Sequence, residues 1–216
     1  MACPASGNGS ARLMVSAHDL FVRLDGGLPL REWAWEGPFG ETPEAAVLVA
    51  LTTETVPNVI LGRRAMHLPL HPGEVAFPGG KREPGDATPW VTALREAHEE
   101  IGLGSDLAQP LGELSPLITR TGFEVHPCVA KVPAGLDLVV DPGEFDSVFM
   151  QPLEIFADRD LFRLEAMSDG ARSRMVPHYQ VGDDNIWGVT AAVLAQLANL
   201  AFDAGLDLKR NWTVTP

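Results

Sequence analysis

An α/β/α sandwich on a mixed, largely antiparallel sheet is the fold this sequence predicts, and three observations predict it. Helical periodicity is confined to residues 16–24, 90–101 and 189–204. Between these run short, β-branched, apolar segments closed by Gly, Pro and Asp turns. Such strands do not alternate regularly with helices, which argues for hairpins with helices layered on both faces and against a doubly wound parallel sheet. At 216 residues and 45% hydrophobic, the chain is long and apolar enough for one core with extensions. Residues 13–216 read as that single domain, with helical segments at either end, and the small polar residues 1–12 as a flexible N-terminus.

Each element has its own signal. Residues 16–24 (SAHDLFVRL) form an amphipathic helix capped by Ser16. Residues 26–42 are Gly- and Pro-rich irregular chain, in which Trp33 and Trp35 read as anchors packed on the body. Residues 44–53 (EAAVLVALTT) are a buried strand, paired through a turn at 54–57 with residues 58–62, after which Arg63 and Arg64 end the hairpin. Residues 74–77 are a short strand entering Pro78-Gly79-Gly80. The central helix is sharply bounded: Thr88 is an N-cap, Pro89 occupies the first turn, where its missing N–H costs nothing, and Gly102 ends it. Val91, Leu94, Ala97 and Ile101 are expected to form its buried face.

Residues 111–132 read as strand, turn at 120–122, strand, and residues 137–145 (with DPGEF) as a turn and an acidic segment. Residues 148–153 are extended and 153–158 a short helix. Residues 162–180 are two strands about Ser168-Asp169-Gly170, and residues 189–204 an amphipathic helix stopped by Gly205.

Composition excludes several classes. A net charge of −13 argues against a nucleic-acid partner, which needs basic surface. No apolar run approaches the length of a membrane span, and residues 1–15 contain no continuous apolar stretch of the secretory kind, so neither a membrane partner nor export is expected. Two cysteines, Cys3 and Cys128, without metal-type spacing suit a reducing cytoplasm. Oligomeric state is left open, with a homodimer as the working expectation.

The chemistry lies in residues 77–103, FPGGKREPGDATPWVTALREAHEEIGL. Glu99 and Glu100 follow Glu96 by three and four residues, so all three acids share one helix face. Like charges at that spacing repel by roughly 0.2–0.5 kcal/mol per pair. A hard divalent cation with oxygen ligands is the natural neutraliser, although a solvated acidic face has the same spacing.

The run Arg95-Glu96-Ala97-His98-Glu99-Glu100-Ile101-Gly102-Leu103 resembles the core of the Nudix box, and the chain is thereby identified as a member of the Nudix hydrolases. Upstream, LGRRAMHLPLHPGEVAFPGGKREPGD is similar to the signature of the coenzyme A pyrophosphatase branch, and TGFEVHPCVA and IWGVTAAVL extend the likeness. Two departures stand out. The loop before the helix is one residue longer than the general pattern, with Gly80 and Asp86 filling the Gly and Glu places, and Pro69 stands where the branch has a basic residue before His71.

The resemblance implies a Nudix fold and a hydrolase that cleaves a nucleotide-type diphosphate with Mg²⁺ or Mn²⁺. The metal set would be Glu96, Glu99 and Glu100 with the carbonyl of Gly80, and Arg95 would orient Glu99 or the loop. Glu144, on the late loop, is either a base or extra ligand or a plain turn acid. Arg63, Arg64, His71, Lys81 and Arg82 are candidate substrate contacts, set against ordinary surface charge and, for His71, a local loop bond. Phe123 and Tyr179 either stack on a base or pack in the core, with the core favoured for Phe123. The implied substrate is coenzyme A or its thioesters. The alternatives are another nucleoside diphosphate derivative (an oxidised dNTP, ADP-ribose, a dinucleotide) or a non-catalytic ligand sensor of the same fold.

Overall fold

The computed structural model describes residues 15–29, 35, 39–40, 43–168, 172–208 and 212–214. Residues 1–12, Trp33 and the Asp169-Gly170 turn lie outside them. The first helix, α1 (Ala17–Gly27), starts where the Ser16 hydroxyl accepts the Asp19 N–H at 3.1 Å. It is followed by β1 (Glu44–Thr52), β2 (Asn58–Arg64), β3 (Val75–Ala76), β4 (Gly79–Lys81), α2 (Pro89–Ile101), β5 (Gln109–Glu113), β6 (Leu117–Ile118), β7 (Glu124–Val132) and β8 (Phe145–Pro152). A short 3-10 turn at Leu153–Ala157 leads to β9 (Phe162–Ser168), β10 (Arg172–Val181), β11 (Asp184–Trp187), α3 (Gly188–Phe202) and β12 (Trp212–Val214).

Strands β1 to β8 form one sheet in the order β3-β2-β1-β7-β5, with β4 on β1, β6 on β7 and β8 on β2. Its pairs are antiparallel except β1–β7, which run parallel over nine residue pairs. The sheet is therefore mixed and largely antiparallel, as the sequence predicts.

Period-2 alternation explains why β1 reads as unbroken apolar sequence. Val49 and Leu51, with Val59 and Leu61 of β2 and Val129 of β7, enter the core shared with α1 and α3. Ala46, Leu48 and Ala50, with Ile60, Cys128 and Ala130, enter the core beneath α2. One helix layer thus lies on each face, giving the α/β/α sandwich.

Beyond the main sheet, β9 to β12 form a second, four-stranded sheet. Two expectations are corrected. The last helix is not amphipathic, because Ala191 through Ala195, Leu197, Ala198 and Ala201 are all buried. It lies among α1, the 3-10 turn and β10, which leaves no broad polar stripe, and it stops at Asp203 in the left-handed region before reaching Gly205. On α2, Val91 is 42% exposed, while Thr92, Ala93, Ala97, Glu100 and Ile101 are buried. The helix is rolled so that two alanines meet β1 and β4 closely and one of the acids, Glu100, points inward. Its ends are as expected, with the Thr88 hydroxyl accepting the Val91 N–H and Gly102 at φ 68°.

Candidate active site

The site is built where α2 lies along β4. Gly80 faces the Glu96 carboxylate, and the glycine that the backbone demands is Gly79, at φ 155° with the Ala46 carbonyl and Val47 Cα where a Cβ would stand. One turn later, Glu100 accepts the backbone N–H of Gly79 at 2.8 Å. Arg95 is the hub between helix and loop. Its Nη1 lies 3.0 Å from both Glu96 and Glu99, and its Nη2 donates to the Lys81 carbonyl at 3.1 Å and to Asp86 at 3.0 Å.

Asp86 holds that hub in place. It is buried, and its Oδ2 also accepts from the Thr92 hydroxyl at 2.8 Å and the Glu83 N–H at 2.9 Å. Burial by itself would raise its pKa. The hydrogen bonds from Arg95, Glu83 and Thr92 outweigh that and hold the carboxyl below its ordinary value. The Arg95 guanidinium is correspondingly more basic than usual, first through the Asp86 hydrogen bond and, against desolvation, through Glu96.

The acids are under electrostatic stress. Burial raises the Glu96 pKa against the opposing pull of Arg95. Glu100, 4% exposed, is pushed up to about 8 by burial, with the Gly79 N–H opposing and the charges of Glu96 and Glu144 adding to the rise. Glu144 itself is 44% exposed, and its Oε2 stands 3.6 Å from Arg64 Nη2. Its carbonyl accepts the Ala65 N–H at 2.9 Å, which ties β8 to the start of the loop after β2.

Among the described residues no three acidic, His or Cys side chains already converge on one point, and the Arg95 contacts to Glu96 and Glu99 show why. The donor set nonetheless fits a hard divalent cation. It consists of carboxylate oxygens, among them those of Glu96 and Glu100, whose ionised forms are disfavoured by burial and by neighbouring acids.

The remaining predicted residues divide by environment. Arg63 Nη2 donates to both carboxylate oxygens of Asp184 of β11, at 2.8 and 2.9 Å, with Phe149 beneath the guanidinium, so it straps the second sheet to the first and is withdrawn from the substrate contacts. His71 makes the local loop bond, Nδ1 to Glu74 at 3.0 Å. Arg64 faces Glu144, and its Nε is buried without a hydrogen-bond partner.

Lys81 and Arg82 line a cleft of about 290 Å³ with Phe39, Gly40, Pro43, Glu44 and Phe123. The Lys81 ammonium lies 5.3 Å from the centre of the Phe123 ring. Arg82 lies over Trp35 and Phe39 and is ion-paired with Glu44 at 2.6 Å. Phe123 is therefore a cleft wall and not core, whereas Tyr179 is core, fully buried with its hydroxyl donating to the Phe156 carbonyl. Phe39 and Glu44 were not singled out from sequence. No periodicity links them to Lys81 or Phe123, and only the fold brings them together.

The NUDIX domain family matches residues 42–169. The chain belongs to the Nudix family. It is 37% identical over 154 residues to an uncharacterized Nudix hydrolase, NudL, of Photorhabdus laumondii, an alignment covering 71% of this chain and 82% of that protein. Against the protein of the same name from Yersinia pestis it is 37% identical over 155 residues, covering 71% and 77%. A Nudix hydrolase from Alicyclobacillus acidocaldarius superposes with a TM-score of 0.54 at 20% identity, over 76% of this chain and 95% of that one, which supports the fold.

The protein is a Nudix-type diphosphate hydrolase of small nucleotide-type substrates, and the family works with divalent metal ions. Among the described residues no helix is long and apolar enough to cross a membrane.

Proposed function

We propose that this hydrolase cleaves the diphosphate of coenzyme A or acyl-coenzyme A, releasing 3′-phosphoadenosine 5′-phosphate and (acyl-)4′-phosphopantetheine in the cytoplasm. The observation that carries this reading is the cleft at the end of β4, which combines an aromatic wall, Phe123, with a cation above it, Lys81, whose carbonyl accepts from Arg95. A purine carrying an extra phosphate suits that combination, because a ring stacks on the wall and the phosphate meets the ammonium. The similarity of residues 61–86 to the coenzyme A pyrophosphatase signature supports it independently.

In this reading Glu96, Glu99, Glu100 and the Gly80 carbonyl would hold Mg²⁺ or Mn²⁺, which when bound supplies the positive charge that phosphoryl oxygens and an attacking water require. The chain supplies the rest. Asp86 fixes Arg95, and Arg95 fixes both the helix acids and the Lys81 carbonyl, so the loop and helix keep one spacing. Arg64 contributes a charge for the diphosphate, in a chain whose overall −13 would otherwise repel it. Glu144, the more exposed partner of Glu100, accepts the proton from water as its oxygen bonds to phosphorus and the bridging oxygen leaves with the other phosphate.

One observation favours a second reading. Glu44 already neutralises Arg82, so a 3′-phosphate would rest on Lys81. A nucleoside diphosphate derivative without that phosphate, such as ADP-ribose, makes a smaller demand on the cleft. Incubation with coenzyme A, acyl-coenzyme A, NADH, ADP-ribose and dNTPs, with products resolved by mass, separates the two. Coenzyme A is expected to give the two products above, and cleavage of ADP-ribose with coenzyme A untouched would overturn the assignment.

A further inference from the structure

We infer that the free edge of β9 is a dimerisation surface: two copies of this chain pair their β9 strands antiparallel about a two-fold axis at Leu164, so that their second sheets continue as one. This surface is independent of which diphosphate is cleaved, because α2 and its acids pack on the main sheet.

β9 is bonded on one side only. Its register on β10 sets Leu164 opposite Pro177 and Phe162 opposite Tyr179. Opposed residues in an antiparallel pair alternate between exchanging their backbone bonds and pointing them away from each other. Pro177 has no N–H to exchange, and one step beyond Phe162 the Gln180 N–H meets the Leu161 carbonyl at 3.0 Å. Both facts fix the same parity. Arg163, Glu165 and Met167 turn their backbone groups to β10, and Leu164 and Ala166 aim theirs outward. Phe162 shares the outward parity, and its N–H goes to the Arg159 carbonyl at 3.3 Å. Among the described residues no strand lies along this outer side, and no backbone bond reaches Leu164 or Ala166 there. Glu165, Ala166, Met167 and Ser168 are all exposed. An uncovered row of donors and acceptors is a template for another strand.

The side chains select a second copy of the same strand. With the axis at Leu164, Arg163 stands opposite the partner's Glu165 and Glu165 opposite the partner's Arg163. Met167, 38% exposed, stands opposite the partner's Leu161, which is only partly buried in its own chain. These residues have their backbone groups turned to β10, so across the new seam they form the pairs whose side chains approach most closely. On the other face Phe162 meets the partner's Ala166, large against small. Arg163 Nε already holds Glu165 Oε1 at 2.6 Å within the strand, so the two copies together place four charges of alternating sign at the seam. Moving the axis by one residue, to Arg163 or to Glu165, sets like charges face to face, which destabilises a cross-strand pair. The edge is complementary to itself in this register, as a two-fold interface requires.

Sedimentation equilibrium of the full chain tests this at physiological salt, where the −13 of each copy is screened beyond about 8 Å. Wild type should have twice the mass of the chain. Ala166→Pro removes an outward N–H from each copy and no bond to β10, so it should weaken dimerisation by about 10–100-fold with the far-UV circular dichroism unchanged. Arg163→Glu should weaken it at least as much, and combining Arg163→Glu with Glu165→Arg should restore it. Oxidative crosslinking reads the register separately, in a Cys3→Ser background where the remaining Cys128 is buried. Leu164→Cys should join two copies, because the residue on the axis faces itself, and Ala166→Cys should not, because its own counterpart then lies beyond disulfide reach. A wild-type chain that stays monomeric up to about 100 μM would overturn the inference. So would a dimer that survives both Ala166→Pro and Arg163→Glu, or crosslinking through Ala166→Cys and not through Leu164→Cys, since either would seat the second copy elsewhere.

Discussion

The two sides of the site are encoded at different distances along the chain. On one side, Arg95, Glu96, Glu99 and Glu100 fall within six residues of one helix, and their partners Gly79, Gly80 and Asp86 lie in the loop just before it. On the other, the cleft draws Phe39 and Glu44, Lys81, and Phe123 from three separate stretches. The first is fixed by helix periodicity and a short loop and needs the sheet only as a platform. The second exists only once β1, β4 and β7 are in register, with Ala45 opposite both Lys81 and Val125. Changes on the helix should therefore alter the reaction itself, and changes in the cleft should alter which molecule is chosen.

The largest expected effect is on the helix. Glu99→Gln keeps size and helix propensity but removes a charge, and kcat should fall by about 10³-fold or more, several kcal/mol of transition-state stabilisation. Chelation of wild type should do the same, with recovery on adding Mg²⁺ or Mn²⁺. Steady-state rates before and after dialysis with EDTA check this, and unchanged turnover of the variant would remove Glu99 from the metal set. A smaller loss is expected one layer out. Asp86→Asn leaves the half-buried Arg95 without its main charged partner, so kcat should fall by roughly 10–100-fold while KM changes little. Unfolding should cost about 1–3 kcal/mol less, and urea titration alongside the kinetics measures both.

The same contrast accounts for what could be read from the sequence. Thr88, Pro89 and Gly102 act on their immediate neighbours, so the bounds of α2 were legible. The three acids were legible as a set because they are separated by helical intervals. Their orientation was not, since Val91 is exposed and Glu100 is buried against the Gly79 N–H across the loop, a partner that helical spacing alone does not reveal. The role of Arg63 was hidden for a similar reason, its partner Asp184 lying 121 residues away on a sheet that local patterning could not separate from the first. Phe123 read as core because an isolated aromatic in a strand usually is, and only the approach of Lys81 marks it as a wall.

In the cleft the expected signature is in binding. Lys81→Ala and Phe123→Ala should each raise KM by about 5–30-fold with kcat largely retained, because stacking and a partly exposed phosphate contact are worth roughly 1–2 kcal/mol. Lys81→Ala should penalise coenzyme A more than its 3′-dephospho form, and Phe123→Ala should penalise both alike. Initial rates on the two compounds distinguish these outcomes. Equal penalties for Lys81→Ala would place the 3′-phosphate elsewhere.

The smallest effect concerns the metal-free helix. With its folded pKa near 8 and an unfolded value of 4.5, Glu100 keeps a proton in the folded chain that the unfolded chain has already released between those limits. The folded state then binds more protons, so this group's contribution is fully present below pH 4.5 and is lost as pH rises through 8. In EDTA, Glu100→Gln should therefore gain in melting temperature relative to wild type on going from pH 5 to pH 8, by about 2–4 °C for each kcal/mol relieved. Adding Mg²⁺ should shrink the difference, because a cation offsets the charge that burial and Glu96 disfavour. Melting curves at both pH values, with and without the ion, read this directly. A pH-independent gap between the two proteins would mean that Glu100 is ionised throughout, and that the Gly79 N–H outweighs the burial and the neighbouring acids.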